Sequence, residues 1–298
     1  MPESRPINST APDDALLRSA HVARAFALEH CRHAIGGDCT WYHGVWQYLR
    51  ALGLVKNAGG HADFLRDGLR SLAVTENARR VLISGSADDA MTSIALEAFR
   101  GAQVPLELTV TDRCESPLAL SRWSAAHAGV LVTTQRVDIL DFAAESPFDV
   151  IVTSSFLSYF EPTARPRLFA RWASLLRPGG KLLFTNRLRP TAVGAQSGFS
   201  PDETHAFCTA ARGQAEKRRK ALGLDPVMLE GWVHDYATRL RTFPVRSVDE
   251  VLGLLEEAAF VPDRVDSALF PGIAGGVAIA GPTAADRAEF VRVLATRR

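Results

Sequence analysis

The chain has 298 residues, of which 47% are hydrophobic and 22% charged, and its formal net charge is +1. This composition predicts a folded domain with a proper core, and the near-neutral charge excludes a global field that would attract nucleic acid or an anionic membrane. No apolar run is long enough to span a bilayer, and residues 1–12 are polar and proline-broken, without the apolar region of a signal peptide. We expect a disordered lead-in over 1–12 and a cytoplasmic protein.

Residues 13–73 are predicted to form an N-terminal helical lid. Apolar residues recur at helical spacing from Leu16 to Leu28, and a second stripe runs from Val45 to Leu52. The second helix begins with a dense aromatic stretch, which consists of Trp41, Tyr42, Trp46 and Tyr48. These rings are expected either to close over a ligand or, for Trp46 and Tyr48 in particular, to be core residues of an amphipathic helix.

Four cysteines are too few and too scattered for a disulfide framework. Five potential metal ligands lie close together in the stretch HCRHAIGGDCTWYH: His30, Cys31, His33, Cys39 and His43. A zinc site there is the alternative, but the stretch has no C-x-x-C pair and looks helical at both ends. We therefore predict packed thiols and polar helix positions, with no metal site.

From Arg79 onward, short apolar runs alternate with helical patterns. The predicted strands lie in VLISG, LELTVTD, VLVTTQRVDIL, FDVIVTSSFLSYF and KLLFTNRL, with helices between them except after the third strand. This alternation predicts a parallel sheet covered by helices on both faces. Residues 188–240 interrupt it as a helical insertion, after which SVDEVLGLLEEAAF is predicted as a helix, and VPDRVDSALF and GGVAIAG are predicted to complete the sheet.

Five segments in this order resemble the class I S-adenosylmethionine (SAM)-dependent methyltransferases, closely over 75–185 and loosely over 245–282. They are VLISGSADDAMT, LTVTD, VDIL, FDVIVTSSFLSYF and LLRPGGKLLFTN. The resemblance implies a Rossmann-like seven-stranded, mostly parallel α/β sheet over 74–298, with SAM as the cofactor. The cofactor-binding residues that it implies are Gly85, Ser86, Ala87, Asp112, Arg113, Asp138, Ile139 and Ser154.

The physics of an open α/β sheet supports a cofactor site at these residues, because ligands bind beyond the carboxyl ends of the strands, where the strand order reverses. Gly85 permits close backbone approach, and an acid such as Asp112 can accept hydrogen bonds from a ribose. The alternatives are a helix N-cap or turn role for Asp112 and an exposed strand end for Asp138.

The loop also departs from the family pattern. It keeps one glycine, because Ala87 and Asp89 stand where further glycines are usual, and the acid usual in the first strand is replaced by Ile83 or Ser84. Asp88 and Asp89 are expected either to meet the cationic part of SAM or to favour the helix N-terminus.

Transfer of the SAM methyl group is an in-line displacement, so the enzyme mainly supplies alignment and desolvation. The candidate catalytic residues are Tyr42, His43, Ser155 and Tyr159. No histidine lies in a recognisable base motif. We expect methyl transfer to a small-molecule nucleophile, without nucleic-acid or membrane partners. One alternative uses SAM alone, as azetidine-2-carboxylate synthases of this fold do when they form the cyclic amino acid and methylthioadenosine. The other is a SAM-fold binding protein that has lost catalysis.

Overall fold

A computed structural model describes residues 12–55, 61–270, 280–283 and 288–298. The helices are α1 (Pro12–His30), α2 (Thr40–Ala51), α3 (Ala62–Thr75), α4 (Ala90–Ala102), α5 (Glu115–His127), α6 (Arg165–Leu175), α7 (Pro201–Lys217), α8 (Arg219–Leu222), α9 (Pro226–Arg239) and α10 (Val248–Glu257). The strands are β1 (Arg80–Ser84), β2 (Glu107–Asp112), β3 (Thr133–Arg136), β4 (Phe148–Ser154), β5 (Leu176–Leu188), β6 (Phe260–Phe270) and β7 (Ala288–Arg297). Within these residues, no helix combines the length and apolarity that a membrane crossing needs.

The seven strands form one sheet in the order β3-β2-β1-β4-β5-β7-β6. Strands β1 to β5 pair in parallel, whereas β7 runs antiparallel to both β5 and β6. The predicted Rossmann-like, mostly parallel seven-stranded sheet is confirmed. Its strand order reverses between β1 and β4, so a crevice is expected at their carboxyl ends.

The central strands are apolar because both faces of the sheet are covered. Val81, Leu82 and Ile83 of β1 are fully buried, as parallel sheets with helices on both sides require. Helices α3 and α4 pack on one face, and α6 and α10 pack on the other. Helix α3 belongs to the stretch predicted as a lid, but its buried leucines face the sheet instead.

A separate apolar cluster holds the cap, which we define as α1, α2 and the inserted helices α7–α9. Its buried members include Trp46, Leu49, Phe207, Val233 and Tyr236. The two parts are joined by polar contacts at the start of α4: Trp46 Nε1 donates to Asp88 at 2.7 Å, and Arg50 lies 3.1 Å from the same carboxylate. The cap is thereby fixed to the loop that follows β1.

Three sequence-based boundaries differ in the structure. The RPGG segment predicted to end a helix lies in β5, which begins at Leu176 and reaches its main register with β4 after a bulge. Most of the GGVAIAG run lies outside the described residues, and Ala280 and Gly281 are not in a strand. The last described strand is β7, in which buried Val291, Val293 and Ala295 alternate with partly exposed residues. Of the predicted lead-in, Pro12 begins α1, and residues 1–11 lie outside the described residues.

Candidate active site

A cavity of about 670 Å³ lies beyond the carboxyl ends of β1, β2 and β4 and is partly covered by α2 and the segment after α9. This volume is in the range of small-molecule sites. The structure places all twelve predicted site residues in its wall: Tyr42, His43, Gly85, Ser86, Ala87, Asp112, Arg113, Asp138, Ile139, Ser154, Ser155 and Tyr159.

The loop after β1 needs a glycine for two reasons. Gly85 has φ +74°, and a Cβ at this position would lie 2.2 Å from Cε2 of Phe156. The backbone N–H of Gly85 donates to the carbonyl oxygen of Thr111 in β2 at 3.0 Å. The loop therefore passes tightly between β2 and the loop after β4, and its small residues leave the cavity open.

Asp112 ends β2 with both carboxylate oxygens engaged by backbone donors. Oδ2 accepts from the N–H of Ser86 at 3.0 Å, and Oδ1 accepts from the N–H of Cys114 at 2.8 Å. Burial raises the pKa of the Asp112 carboxyl, and the hydrogen bonds from Ser86 and Cys114 oppose that shift. The N-cap of α5 is Cys114, not Asp112. Asp112 thus acts as a turn residue and also faces the cavity, with further acceptor capacity on each oxygen.

Asp138 follows β3 and shapes the next turn. Its Oδ1 accepts from the N–H of Leu140 at 3.0 Å, and its Oδ2 lies 3.6 Å from Nε of Arg113 across the rim. Ile139 is buried beside it. A polar rim and an apolar floor therefore meet where the adenine is predicted to bind.

The loop after β4 carries a strained backbone. Ser155 has φ +55°, in the left-handed region that non-glycine residues seldom adopt. Its N–H donates to the carbonyl oxygen of Thr185 at 2.7 Å, and Oγ of Ser154 lies 2.9 Å from Oγ1 of Thr185. These contacts with β5 hold the loop, and the strain is of the kind found at functional sites.

An aromatic wall lies opposite the strand ends. Tyr42 packs against Trp46 (ring centroids 5.3 Å apart) and Tyr236 (5.8 Å), which also contact each other (6.3 Å). The hydroxyl of Tyr42 lies 2.8 Å from that of Tyr159. Burial raises the pKa of Tyr42 well above its usual value, and partial burial also raises that of Tyr159, which remains 42% exposed. Both phenols are therefore protonated at neutral pH, so they position other groups and do not serve as bases.

The two roles considered for the aromatic stretch are divided among its residues. Trp41, Tyr42, His43 and Trp46 line the cavity. Tyr48 points into the cap core, where its hydroxyl pairs with Nδ1 of His21 at 2.9 Å. Trp46 serves both roles, because it is buried and also reaches Asp88.

Residues 91–180, which run from α4 into β5, match the family described as "Methyltransferase domain". This match identifies a methyltransferase domain in the part of the chain that contains the loop-bearing strands β2, β3 and β4. The protein is a SAM-dependent transferase, and SAM is its cofactor. No curated protein matches the chain.

Several solved structures share the general arrangement. N-methyltransferase NodS from Bradyrhizobium japonicum WM9, with S-adenosylhomocysteine, is 18% identical over 78% of this chain and 85% of its own (TM-score 0.46). Magnesium protoporphyrin IX methyltransferase from Synechocystis PCC 6803, with bound SAM, is 11% identical over 98% and 100% (0.45). Geranyl diphosphate methyltransferase, with GPP and sinefungin, is 12% identical over 80% and 78% (0.49). At these scores, nothing about the acceptor carries over.

The strand-edge residues fit SAM chemically. The loop after β1 is narrow, and a Cβ at Gly85 would occupy space there. Asp88 faces the cavity in the same loop, which is compatible with a cofactor that has no phosphate. Asp88 itself is already bound by Trp46, Arg50 and the N–H of Ala90. Of the two roles considered for it, the structure shows the helix N-terminal one.

Sequence reasoning missed four of the five arginines that line the cavity, since it predicted only Arg113. The four are Arg187, Arg189, Arg239 and Arg241, at the two ends of the insertion. Burial lowers the pKa of Arg187 to about 10, so it stays charged at neutral pH. The signal in the sequence is an Arg-Leu-Arg triplet that occurs twice, at 187–189 and 239–241. Tyr236 was also missed, because only the packing of α9 against α2 brings it to Tyr42.

Proposed function

We propose that the protein transfers the methyl group of SAM to a small nucleophile that carries an anionic group. The observation that carries this proposal is that one cavity has two chemically distinct halves. The strand-edge half presents Gly85, Asp112 and Asp138, and the other half presents aromatic rings and the four arginines. Cofactor and acceptor would thus meet in one cavity.

The partial covering of the cavity favours a small acceptor. Tyr42 and Trp46 come from α2, and Arg239 to Thr242 form the segment after α9, so two distant parts of the cap cover the strand ends. A protein or nucleic-acid acceptor would need a wider surface there, because these cap segments cover part of the strand ends.

The arginines favour an anionic acceptor. Arg241 donates to the carbonyl oxygens of Thr238 and Leu240, and Arg239 lies 3.3 Å from Asp235. These contacts orient the guanidinium groups and leave further N–H donors on each of them. A guanidinium binds carboxylate or phosphate through charge-assisted hydrogen bonds, which are the stronger kind.

SAM, when bound, supplies an electrophilic methyl group on a sulfonium. The stacked faces of Tyr42 and Trp46 suit a cation, and the hydroxyl of Tyr159 can donate to the acceptor. Since both tyrosines hold their protons, no phenolate is present to deprotonate the acceptor. The acceptor is then expected to arrive in its nucleophilic form, and catalysis to come from alignment.

A second candidate is the intramolecular reaction that gives azetidine-2-carboxylate and methylthioadenosine. The same lack of a phenolate favours it, because the nucleophile would be the amino group of SAM itself. Arg187, at the end of β5 beside β4, could then bind the carboxylate of SAM instead of that of an acceptor.

Product analysis separates the two candidates. The protein is incubated with SAM alone and with SAM plus a panel of small amines, thiols, phenols and acids, and the products are quantified by mass spectrometry. Our proposal predicts S-adenosylhomocysteine in equal amount to a methylated acceptor, only when that acceptor is present. Enzyme-dependent methylthioadenosine from SAM alone would overturn it in favour of the second candidate.

The arginines can be tested separately with Arg187→Met and Arg189→Met, using Arg212→Met as the control. Arg212 is in α7, pairs with Glu230 and does not line the cavity. Loss of a charge-assisted contact should raise the KM of the acceptor by about 10- to 100-fold while the Kd of SAM is unchanged. A rise in the Kd of SAM alone would assign the arginine to the cofactor.

A further inference from the structure

Three cysteines and one histidine meet where the cap touches the sheet. Cys31 follows α1, Cys39 precedes α2, and His43 lies in the first turn of α2, whereas Cys114 is the N-cap of α5. Their candidate ligand atoms all lie within 4.8 Å of one another. His30 and His33, which the sequence also placed nearby, are not part of this group.

The distances match the edges of a metal tetrahedron. Sγ of Cys31 lies 3.6 Å from Sγ of Cys114, and Nδ1 of His43 lies 3.5 Å from Sγ of Cys31 and 3.3 Å from Sγ of Cys39. Zinc bound to sulfur and imidazole nitrogen at usual lengths sets sulfur–sulfur edges of about 3.8 Å and sulfur–nitrogen edges of about 3.5 Å. A single ion therefore fits among the four side chains with little movement.

We propose that Cys31, Cys39, His43 and Cys114 bind one zinc ion in a structural site. All three thiols are free, and both Cys31 and Cys114 are buried. Three sulfurs and one imidazole form a closed four-coordinate set, without the open position that catalytic zinc needs. Thiolate ligands select zinc over the hard cations magnesium and calcium. The proposal differs from the sequence-based prediction of packed thiols because the fourth ligand, Cys114, is far from the others in sequence and joins them only in the fold.

The ion would join the cap to the cofactor edge. Two ligands come from the α1–α2 connection and a third, His43, from the first turn of α2. The N–H of the fourth, Cys114, donates to Oδ1 of Asp112 at 2.8 Å. The α1–α2 connection also contacts the loop after β2 through its backbone, since the N–H of Ile35 donates to the carbonyl oxygen of Arg113 at 2.9 Å. Coordination by Nδ1 also removes that nitrogen of His43 from proton transfer. The zinc would thus position both Tyr42 and Asp112.

The test is the metal content of the full-length protein purified under reducing conditions without chelators. Elemental analysis should give about one zinc per chain in the wild type and in Cys208→Ser, which changes the cysteine of α7 that lies outside the cluster. Cys31→Ser and Cys114→Ser should each retain well under half of it. Removing zinc from the wild type with a strong chelator should weaken SAM binding by at least about 10-fold, and added zinc should restore it.

The wild type alone keeps the proposal testable if a cysteine variant fails to fold. Cobalt(II) added to the chelated protein should give the thiolate charge-transfer absorption and the visible bands of a tetrahedral site. A protein that contains no zinc and takes up neither zinc nor cobalt would overturn the proposal. So would a disulfide among these cysteines, full zinc retention in the folded Cys31→Ser variant, or stoichiometric iron or copper in place of zinc.

Discussion

The two halves of the cavity are built in different ways. The strand-edge half is made by residues that directly follow β1, β2 and β4, and its groups are held by backbone donors and acceptors, as at Asp112 and Ser155. The cap half is made by side chains from α2 and from both ends of the insertion, held by ring stacking and ion pairs. Topology therefore fixes where a cofactor binds, and packing between distant segments decides what meets it.

The largest effect on SAM binding is expected for Gly85→Ala, which alters the strand-edge half of the cavity. Its Cβ would strike the ring of Phe156, and alanine at φ +74° is strained in addition. We expect the Kd of SAM to rise by about 100-fold or more, with a loss of about 1–3 kcal/mol of stability. The matched control is Gly213→Ala in α7, where nothing lies within 4 Å of the new Cβ. Calorimetry and thermal unfolding of both variants test this, and unchanged SAM binding in Gly85→Ala would contradict the assignment of the loop.

Asp112→Ala should weaken SAM binding by about 10- to 100-fold, because it removes a polar acceptor worth roughly 1–3 kcal/mol. Asp149→Ala is the control at the opposite end of the sheet, where Asp149 accepts from the backbone of Arg79 and Arg80 and from Arg177. It should destabilise the fold and leave the affinity of the folded protein for SAM unchanged. Equal affinity in Asp112→Ala would remove this residue from the ribose site.

The cap half is probed by Tyr159→Phe and Tyr42→Phe. Loss of the hydroxyl pair should lower kcat by about 3- to 10-fold, with the Kd of SAM unchanged, because a hydrogen bond contributes about 1 kcal/mol. Tyr48→Phe, which loses a hydroxyl contact to His21 outside the cavity, is the control. Alanine at position 42 is unsuitable, since Tyr42 is buried in the cap core and its loss would also cost about 3–5 kcal/mol of stability. Wild-type kcat in Tyr159→Phe would contradict a role for the pair.

The smallest effect concerns the four tyrosines, all of which have a raised pKa: Tyr42, Tyr48, Tyr159 and Tyr236. Burial is the main cause for each. The native state should then keep its phenolic protons to about pH 11, whereas the unfolded chain releases them near pH 10. Stability should therefore fall as the pH rises above 10. An ultraviolet titration that shows phenolate in the native protein near pH 10 would contradict the buried aromatic wall.

The sequence was sufficient for the strand-edge half because each of its residues follows a recognisable strand. The predicted segments VLISG, LELTVTD and FDVIVTSSFLSYF contain the carboxyl ends of β1, β2 and β4, so Gly85, Asp112 and Ser154 came to the same edge by topology alone. Strand β7, which pairs with β5 and β6, was not predicted from the sequence, whereas the GGVAIAG run lies mostly outside the described residues and stays a prediction.

The cap half was only partly predictable. Tyr42 and Trp46 stood out as a local aromatic stretch, but Tyr236 and the paired Arg-Leu-Arg triplets reach the cavity through the packing of α7 and α9. Helical periodicity identifies a buried face and does not say which helix covers it. Cys114 was not grouped with the other three members of the cluster in the sequence-based prediction for the same reason, because they lie about eighty residues earlier in the chain.

A crystal structure of the protein with S-adenosylhomocysteine tests most directly whether the cofactor binds in the strand-edge half of the cavity and the acceptor in the cap half. We predict that the ribose hydroxyls donate to Asp112 and that the adenine lies beside Ile139. The sulfur should face Tyr42 and Tyr159, with room for an acceptor next to the arginines. Adenine stacked on Tyr42 and Tyr236, with Asp112 free of ribose contacts, would contradict it.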